Sequence, residues 1–257
     1  MSSINPANPA TPLPSEDLVH QLAMLGIPEG SYDFQPLNGL RKLIARRMLD
    51  SVRIAPHFSA SIRIETDALM ACRSELNRGA ATKISVNDLL IKAAALALVD
   101  CPRVNSSYTD AGIITHRHAD VAFAVSMEGG LVTPIVHGAE AKSVSAIAEE
   151  TRDLADRGRR KRLRPEEYNG GSFTVSNLGM YGVSSFDAII NQPQSAIVSV
   201  GAPERGFVID GDMPRIASLM IATLTSDHRL IDGATAASWL QAFKRAIEAP
   251  TTWATSG

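Results

Sequence analysis

Ser226-Asp-His-Arg-Leu-Ile-Asp-Gly-Ala234 lies between an apolar run, Ile216 to Leu224, and a helix-patterned run, Thr235 to Ala249. The first run reads as a strand and the second as a helix, so a charged cluster falls where one element gives way to the next. A histidine side chain ordinarily titrates near neutrality, so His228 is placed to take and return a proton. Asp232, four residues on, is close enough to orient or charge-balance a neighbour, and Gly233 permits a tight turn. The alternative is a surface loop that holds these residues by chance, and the pattern alone does not separate the two.

Working outward, Ser172 to Ser176 reads as a strand that ends in the glycine-bearing turn Asn177-Leu-Gly-Met-Tyr-Gly182. Neither GxGxxG nor GxxxxGKS is present, so this turn is not a phosphate loop, and its glycines let the backbone pass close to a substrate. Ser195 to Val200 is a further strand, and Glu204 to Pro214 is a hairpin connection to the run at Ile216. Upstream, Val121 to Val125 and Leu131 to Val136 form a hairpin through Glu128-Gly-Gly130, and Ser59 to Glu65 is an alternating strand led in by Ala55-Pro-His-Phe58. His57 is either a residue lining the substrate channel or a hydrogen-bonded structural histidine.

Helical spacing covers Leu37 to Val52, Asp67 to Asn77, Ser85 to Val99 and Ser143 to Asp156. The third of these is apolar on most sides with Ser85 as its cap, which predicts a central core helix. A shorter helix runs from Ser15 to Leu25. Strands mixed with helices without regular βαβ alternation predict an α+β fold with a mixed sheet, not a doubly wound nucleotide fold.

The 257 residues suffice for a substantial core, and 45% hydrophobic with 20% charged residues is an ordinary globular composition. A formal charge of −2 gives no push towards nucleic acid or an anionic membrane. Arg157-Gly-Arg-Arg-Lys-Arg-Leu-Arg164 is basic, but Glu166 and Glu167 follow and no aromatic residues interleave. It reads as a solvated helix end, with partner or coenzyme phosphate binding as the alternative. Cys72 and Cys101 have no CxxC spacing and no partner histidine cluster, which predicts reduced thiols in the cytoplasm and no metal site. No run reaches the roughly 18 apolar residues that span a bilayer. The N-terminus has neither a secretory nor an organelle-targeting pattern.

The strings DHRLIDG at 227 to 233, GGSFTVSNLGMYG at 170 to 182 and AIINQPQSAIVSVGAPE at 188 to 204 resemble the catalytic domain of the dihydrolipoamide acyltransferases, the core components of the 2-oxo acid dehydrogenase complexes. The similarity runs from about Leu37 through Ala249. It implies a chloramphenicol-acetyltransferase-like fold in which helices flank the sheet, and a homotrimer with active sites at the subunit interfaces. It implies acyl transfer between dihydrolipoamide and coenzyme A, with His228 as general base. Ser176, supplied by the neighbouring subunit, would then be the oxyanion donor. Asp232 would pair with an arginine and fix the histidine loop, and Arg229 or one of Arg41, Arg46 and Arg47 is its expected partner. Asn177 and Gly179 are expected to shape the acyl or lipoyl pocket, with His57 and Arg229 as further substrate contacts. SNLGMYG and AIINQPQ are closer to the acetyl-transferring members, so acetyl is the expected acyl group.

The resemblance leads to three segments: a flexible N-terminal part with a short helix over 1–34, the acyltransferase domain over 35–250 and a polar tail over 251–257. Residues 1–34 are too few for the lipoyl and subunit-binding domains of the family, so the lipoyl group would come from a separate domain or chain, and dehydrogenase subunits are expected partners. The tail is polar except for Trp253 and Ala254, which predicts trimers with weak or absent higher assembly. Two other functions stay open at this point: a stand-alone CoA-dependent acyltransferase acting on a small molecule, and a non-catalytic structural subunit of a dehydrogenase complex.

Overall fold

The computed structural model describes residues 14–127 and 130–254. The flexible segment expected over the first thirteen residues, the turn residues Glu128 and Gly129 and the last three residues of the tail lie outside it. The chain divides into two units, Met1–Arg46 and Arg47–Gly257. In the first, α1 (Glu16–Met24) starts as expected at Ser15, whose side chain accepts a hydrogen bond from the Leu18 N–H. The helix α2 (Gly39–Ile54) begins where the Asn38 carboxamide oxygen accepts from Arg41 N–H at 2.8 Å, and it continues into the second unit.

The second unit takes the chain through β1 (His57–Glu65), α3 (Asp67–Leu76) and α4 (Val86–Asp100). Ser85 and Asp88 form a reciprocal capping box at the start of α4, and Asp88 also accepts from the Thr151 hydroxyl at 2.6 Å. The hairpin β2 (Ser106–Thr109) and β3 (Gly112–Thr115) follows. The strands β4 (Val121–Phe123), β5 (Val125–Met127), β6 (Gly130–Val132) and β7 (Ile135–Val136) make the expected hairpin. It breaks into two pairings, β5 with β6 and β4 with β7. Next come α5 (Val144–Arg159), β8 (Phe173–Asn177), β9 (Ala196–Val200), β10 (Glu204–Asp210), β11 (Met213–Asp227), α6 (Gly233–Glu248) and α7 (Thr251–Ala254).

The main sheet has the order β1-β11-β9-β8-β4-β7, with β10 on the first half of β11. β8 pairs in parallel with β9 and β4, and the other pairings are antiparallel, so the sheet is mixed as the sequence predicts. Residues 204–214 are not a mere connection. They supply β10 and the start of a fifteen-residue β11, because Gly211 at φ +60 turns the chain in two residues and the alternation continues across it. The helices α4 and α6 lie together and pack on the sheet. Trp239 of α6, fully buried, stacks on Phe243 at 5.0 Å and meets Phe173 of β8 at 4.9 Å, which places the centre of the core between α6 and the sheet.

Residues 251–254 are not tail. The Trp253 indole N–H donates to the Ala246 carbonyl at 2.9 Å and Ala254 is buried in the core cluster, so the two apolar residues of the segment are used within the chain. In the basic run, Arg157 forms a two-pronged pair with Glu167 at 2.6 and 2.9 Å, Arg164 joins the same carboxylate, and Arg159 meets Asp156. The acidic residues that follow the run thus neutralise part of it. Cys72 is buried and Cys101 half-buried, both as free thiols that burial pushes above their ordinary range.

Candidate functional site

The motif begins where β11 ends. Asp227 is the last residue paired with β1, opposite His57, and its backbone carbonyl accepts from the N–H groups of Leu230 and Ile231, which turns the chain through one tight loop. His228 anchors that loop by donating its N–H to the Pro56 carbonyl at 2.9 Å, and its ring stands edge-on to Phe58 with centroids 5.1 Å apart. The residue is otherwise exposed, as a group that meets a substrate must be. Asp232 then caps α6, its carboxylate accepting from the Thr235 N–H at 2.7 Å, and hydrogen bonding from the Thr235 side chain and then from its N–H holds the carboxyl below the usual range.

The expected arginine partners of Asp232 need correction. Arg229 does not pair with it. The guanidinium grips Asp227, with Nε at 3.0 and 3.1 Å from the two carboxylate oxygens and Nη2 at 2.6 Å, because two residues of a tight loop bring those side chains together. That hydrogen bonding raises Arg229 above the ordinary arginine value. The arginine nearest Asp232 is Arg103, just beyond α4, at 3.9 Å between two exposed side chains, a distance at which little attraction survives in water.

His57 stands beside the motif as a structural tie. Its Nδ1 lies 2.8 Å from the Ala55 carbonyl and its Nε2 accepts from the Ile190 N–H at 3.2 Å, so both ring nitrogens are engaged by backbone and neither is left for a substrate. The tie joins β1 to the 188–191 loop, and the Ser51 hydroxyl, which donates to Ile190 O, joins α2 to the same loop.

Ser176 and Asn177 end β8, both half-buried. The Asn177 carboxamide oxygen accepts from Gly179 N–H at 2.8 Å and folds the turn. Gly179 is required by protein backbone rather than by a ligand: a Cβ there would stand 2.9 Å from the Gly201 carbonyl oxygen. Gly201 in turn is crossed by the Ser184 carbonyl, 1.9 Å from where its Cβ would be. The turn at Gly179 and the strand end at Gly201 thus lie at a close crossing of chain segments.

The sheet register separates the two groups expected to share the chemistry. Ser176 is level with Ser199 and Ser199 with Thr223, whereas His228 lies five residues further along β11. That amounts to roughly 16 Å along the strands and roughly 10 Å across two strand spacings. Within one chain the imidazole and the hydroxyl do not address one reacting carbonyl. Sequence reasoning missed Arg103 and also Tyr108 of β2, whose ring lies 3.9 Å under the Arg229 guanidinium. The run Ser107-Tyr-Thr-Asp-Ala-Gly-Ile-Ile-Thr115 carries the hairpin signal that would have placed Tyr108 in a strand, but not the loop it touches.

Among the described residues no group of three or more His, Cys, Asp or Glu is arranged to hold a metal ion, and no helix is long and apolar enough to cross a membrane.

A mixed sheet with flanking helices and an exposed histidine where β11 ends define the architecture. The solved chloramphenicol acetyltransferase, 13% identical with a TM-score of 0.52 over 79% of this chain and 92% of its own, shares the fold. Residues 29–255 match the family described as 2-oxoacid dehydrogenases acyltransferase (catalytic domain), and the chain belongs to that family. It is 49% identical over 243 residues, 92% of its length, to the dihydrolipoyllysine-residue acetyltransferase component of the pyruvate dehydrogenase complex of Rhizobium meliloti. It covers 54% of that protein, so the chain spans about half the length of this curated relative. The solved dihydrolipoamide acetyltransferase of Azotobacter vinelandii superposes with a TM-score of 0.84 at 27% identity, covering 95% of this chain and 99% of its own. That structure concerns a serine, a histidine and an asparagine in the catalytic mechanism of that enzyme, the histidine fifty-two residues after the serine and the asparagine four after the histidine.

Proposed function

We propose that this chain is the acyltransferase domain of a dihydrolipoamide acetyltransferase, moving an acetyl group between dihydrolipoamide and coenzyme A. The observation that carries the reading is the placing of His228, Ser176 and Asp232. They stand at the spacings of the three residues named for the Azotobacter enzyme, and His228 is exposed at a strand end with its backbone anchored. A thiol titrates ordinarily near 8.5 and is mostly protonated at neutral pH, so the attacking sulfur needs a base. His228 takes the coenzyme A thiol proton as the sulfur adds to the thioester carbonyl of acetyl-dihydrolipoamide. The tetrahedral oxyanion is met by the Ser176 hydroxyl. When the intermediate collapses, the carbon–sulfur bond to the dihydrolipoyl group breaks and His228 returns the proton to the leaving sulfur. The acyl group is never attached to the protein.

Because the register keeps Ser176 and His228 of one chain apart, each site takes His228 from one copy and Ser176 from a neighbour, in a homotrimer with interfacial sites. Asp232 acts by capping α6 and so setting where the histidine loop ends. The Azotobacter asparagine fits this role, since Asn and Asp cap helices about equally well. Asn177 and Gly179 shape the turn that holds Ser176. The lipoyl group arrives on a separate domain or chain, dehydrogenase subunits are the partners, and the protein works in the cytoplasm with its two cysteines as thiols.

The test is formation of free coenzyme A and S-acetyl-dihydrolipoamide from acetyl-CoA and dihydrolipoamide, separated by chromatography because the total number of thiols does not change. It should appear with the wild-type chain and fall by about 10²–10⁴-fold in His228→Ala, the range for removal of a general base. Activity with amines or alcohols but not dithiols would point instead to a small-molecule acyltransferase, and inactivity with every acceptor to a structural subunit.

A further inference from the structure

His228 is exposed, yet a general base works only when its ring is held within about 0.5 Å and 10–20° of the productive geometry. Its backbone bond to Pro56 and its ring contact with Phe58 fix the main chain and one edge of the imidazole. The residues on either side of it are held by something else. Asp227, with a side chain only 4% exposed, accepts from the Arg229 backbone N–H at 3.0 Å as well as from both prongs of the guanidinium. The arginine, 26% exposed, does not hang free at its outer side, because the Tyr108 ring of β2 lies under it at 3.9 Å. A planar guanidinium that is both forked onto a carboxylate and stacked on a ring has lost its rotational freedom in two directions. Residues 227 and 229 therefore form a clamp around 228, and the clamp is seated on a hairpin about 120 residues away in sequence.

The geometry points to Tyr108 as a positioning residue for His228, acting through Arg229 and Asp227: the ring seats the guanidinium, the guanidinium holds the carboxylate, and the loop between them presents the imidazole. The inference rests on the reading of His228 as the base. In this assignment Tyr108 acts through the face of its ring on Arg229, and its hydroxyl plays no part. Arg229, expected from sequence to contact substrate, is assigned to this clamp instead.

The test uses the full chain labelled at histidine Cε1, with the His228 signal among the six histidines identified by its loss in His228→Gln. His116 is the internal control, since its Nε2 lies 2.9 Å from the Ser107 hydroxyl in the same hairpin and reports whether the hairpin itself survives. In Tyr108→Leu and in Arg229→Lys, which keeps the charge but not the flat fork, the His228 signal should shift or broaden while that of His116 stays. Tyr108→Phe should match the wild type. In the acetyl-CoA assay kcat should fall roughly ten- to a hundredfold in the first two variants, as expected of a displaced reacting group. KM for both substrates should stay within about twofold, the sign of an interaction felt only in the transition state. An unmoved His228 signal in Tyr108→Leu, a Tyr108→Phe variant as impaired as Tyr108→Leu, or joint displacement of His116 and His228 would each overturn the assignment. A wild-type chain without acetyl transfer would sink the acetyltransferase reading alone, because the His228 signal still decides whether the clamp holds the ring.

Discussion

Gly201 is the residue with the least freedom in the site's surroundings. A methyl group there would lie 1.9 Å from the Ser184 carbonyl oxygen, a backbone atom that cannot rotate away. Gly201→Ala should therefore displace the 183–184 segment and cost at least about 1–3 kcal/mol, the range for overpacking, read as a fall in denaturant midpoint. A variant as stable as the wild type would show that the crossing is looser than the geometry states. Asp232 gives a finer test of role. Asp232→Asn keeps an oxygen for the Thr235 N–H and should hold both stability and acetyl transfer close to wild type. Asp232→Ala loses the cap and should cost about 1 kcal/mol with a larger loss of activity, because the end of the histidine loop is no longer set. Equal damage from both would mean that the charge, not the cap, is what matters. At this scale the sequence showed the identities and missed the partners. His228 and Asp232 stand out in the motif, but that Arg229 turns to Asp227, and that both His57 nitrogens meet backbone, depends on atoms more than a hundred residues away or on the exact turn of a loop.

Two elements are held by polar groups inside the fold. Lys92 of α4, 7% exposed, donates its ammonium to the backbone carbonyls of Glu140 and Lys142 at 2.7 Å and of Ala139 at 3.4 Å, pinning the turn that leads into α5. Burial lowers its pKa. Lys92→Met keeps the chain length and removes the donors, leaving buried carbonyls unmet, and should cost roughly 2 kcal/mol or more in chemical unfolding. The end of α5 depends on pH. The Glu167 side chain, 12% exposed between Arg157 and Arg164, is held down to about 2 from an ordinary 4.5, first by its hydrogen bond from Arg157. The folded carboxyl is the more acidic, so its stabilisation is complete above pH 4.5 and is lost as the pH falls from 4.5 towards 2. The wild type should exceed Glu167→Gln in stability by an amount on the order of 2 kcal/mol at pH 6, and the gap should close by pH 2. A constant gap over that window would show that the pair contributes nothing through ionisation. Capped helices, such as the largely apolar α4 and the amphipathic α5, were legible in sequence to within about three residues. The short hairpin β2–β3 went unassigned although its turn carries a signal, since β3 is exposed throughout and lacks the hydrophobic alternation that marks a half-buried strand.

For the molecule as a whole, the decisive question is whether a site spans two copies. Gel filtration should place the chain at the size of a trimer. His228→Ala and Ser176→Ala, each inactive alone, should regain activity when mixed and refolded together. With random exchange, up to about a quarter of the sites would join an intact histidine to an intact serine across a symmetric interface. No recovery from mixed trimers would mean that one chain supplies both groups, contrary to the register.

What the sequence determined by itself is local: the capped helices, the strand that runs into the histidine motif, the mixed α+β character and the family. The first three follow from periodicity, capping and turn chemistry, which act between near neighbours, and the family follows from the resemblance of three short strings around the motif. What only the tertiary structure decided is which strand lies beside which and at what level. Strand order and register are set by burial and pairing between segments far apart in the chain, and they alone separate Ser176 from His228, seat Arg229 on Tyr108 and bring Gly201 under the Ser184 backbone.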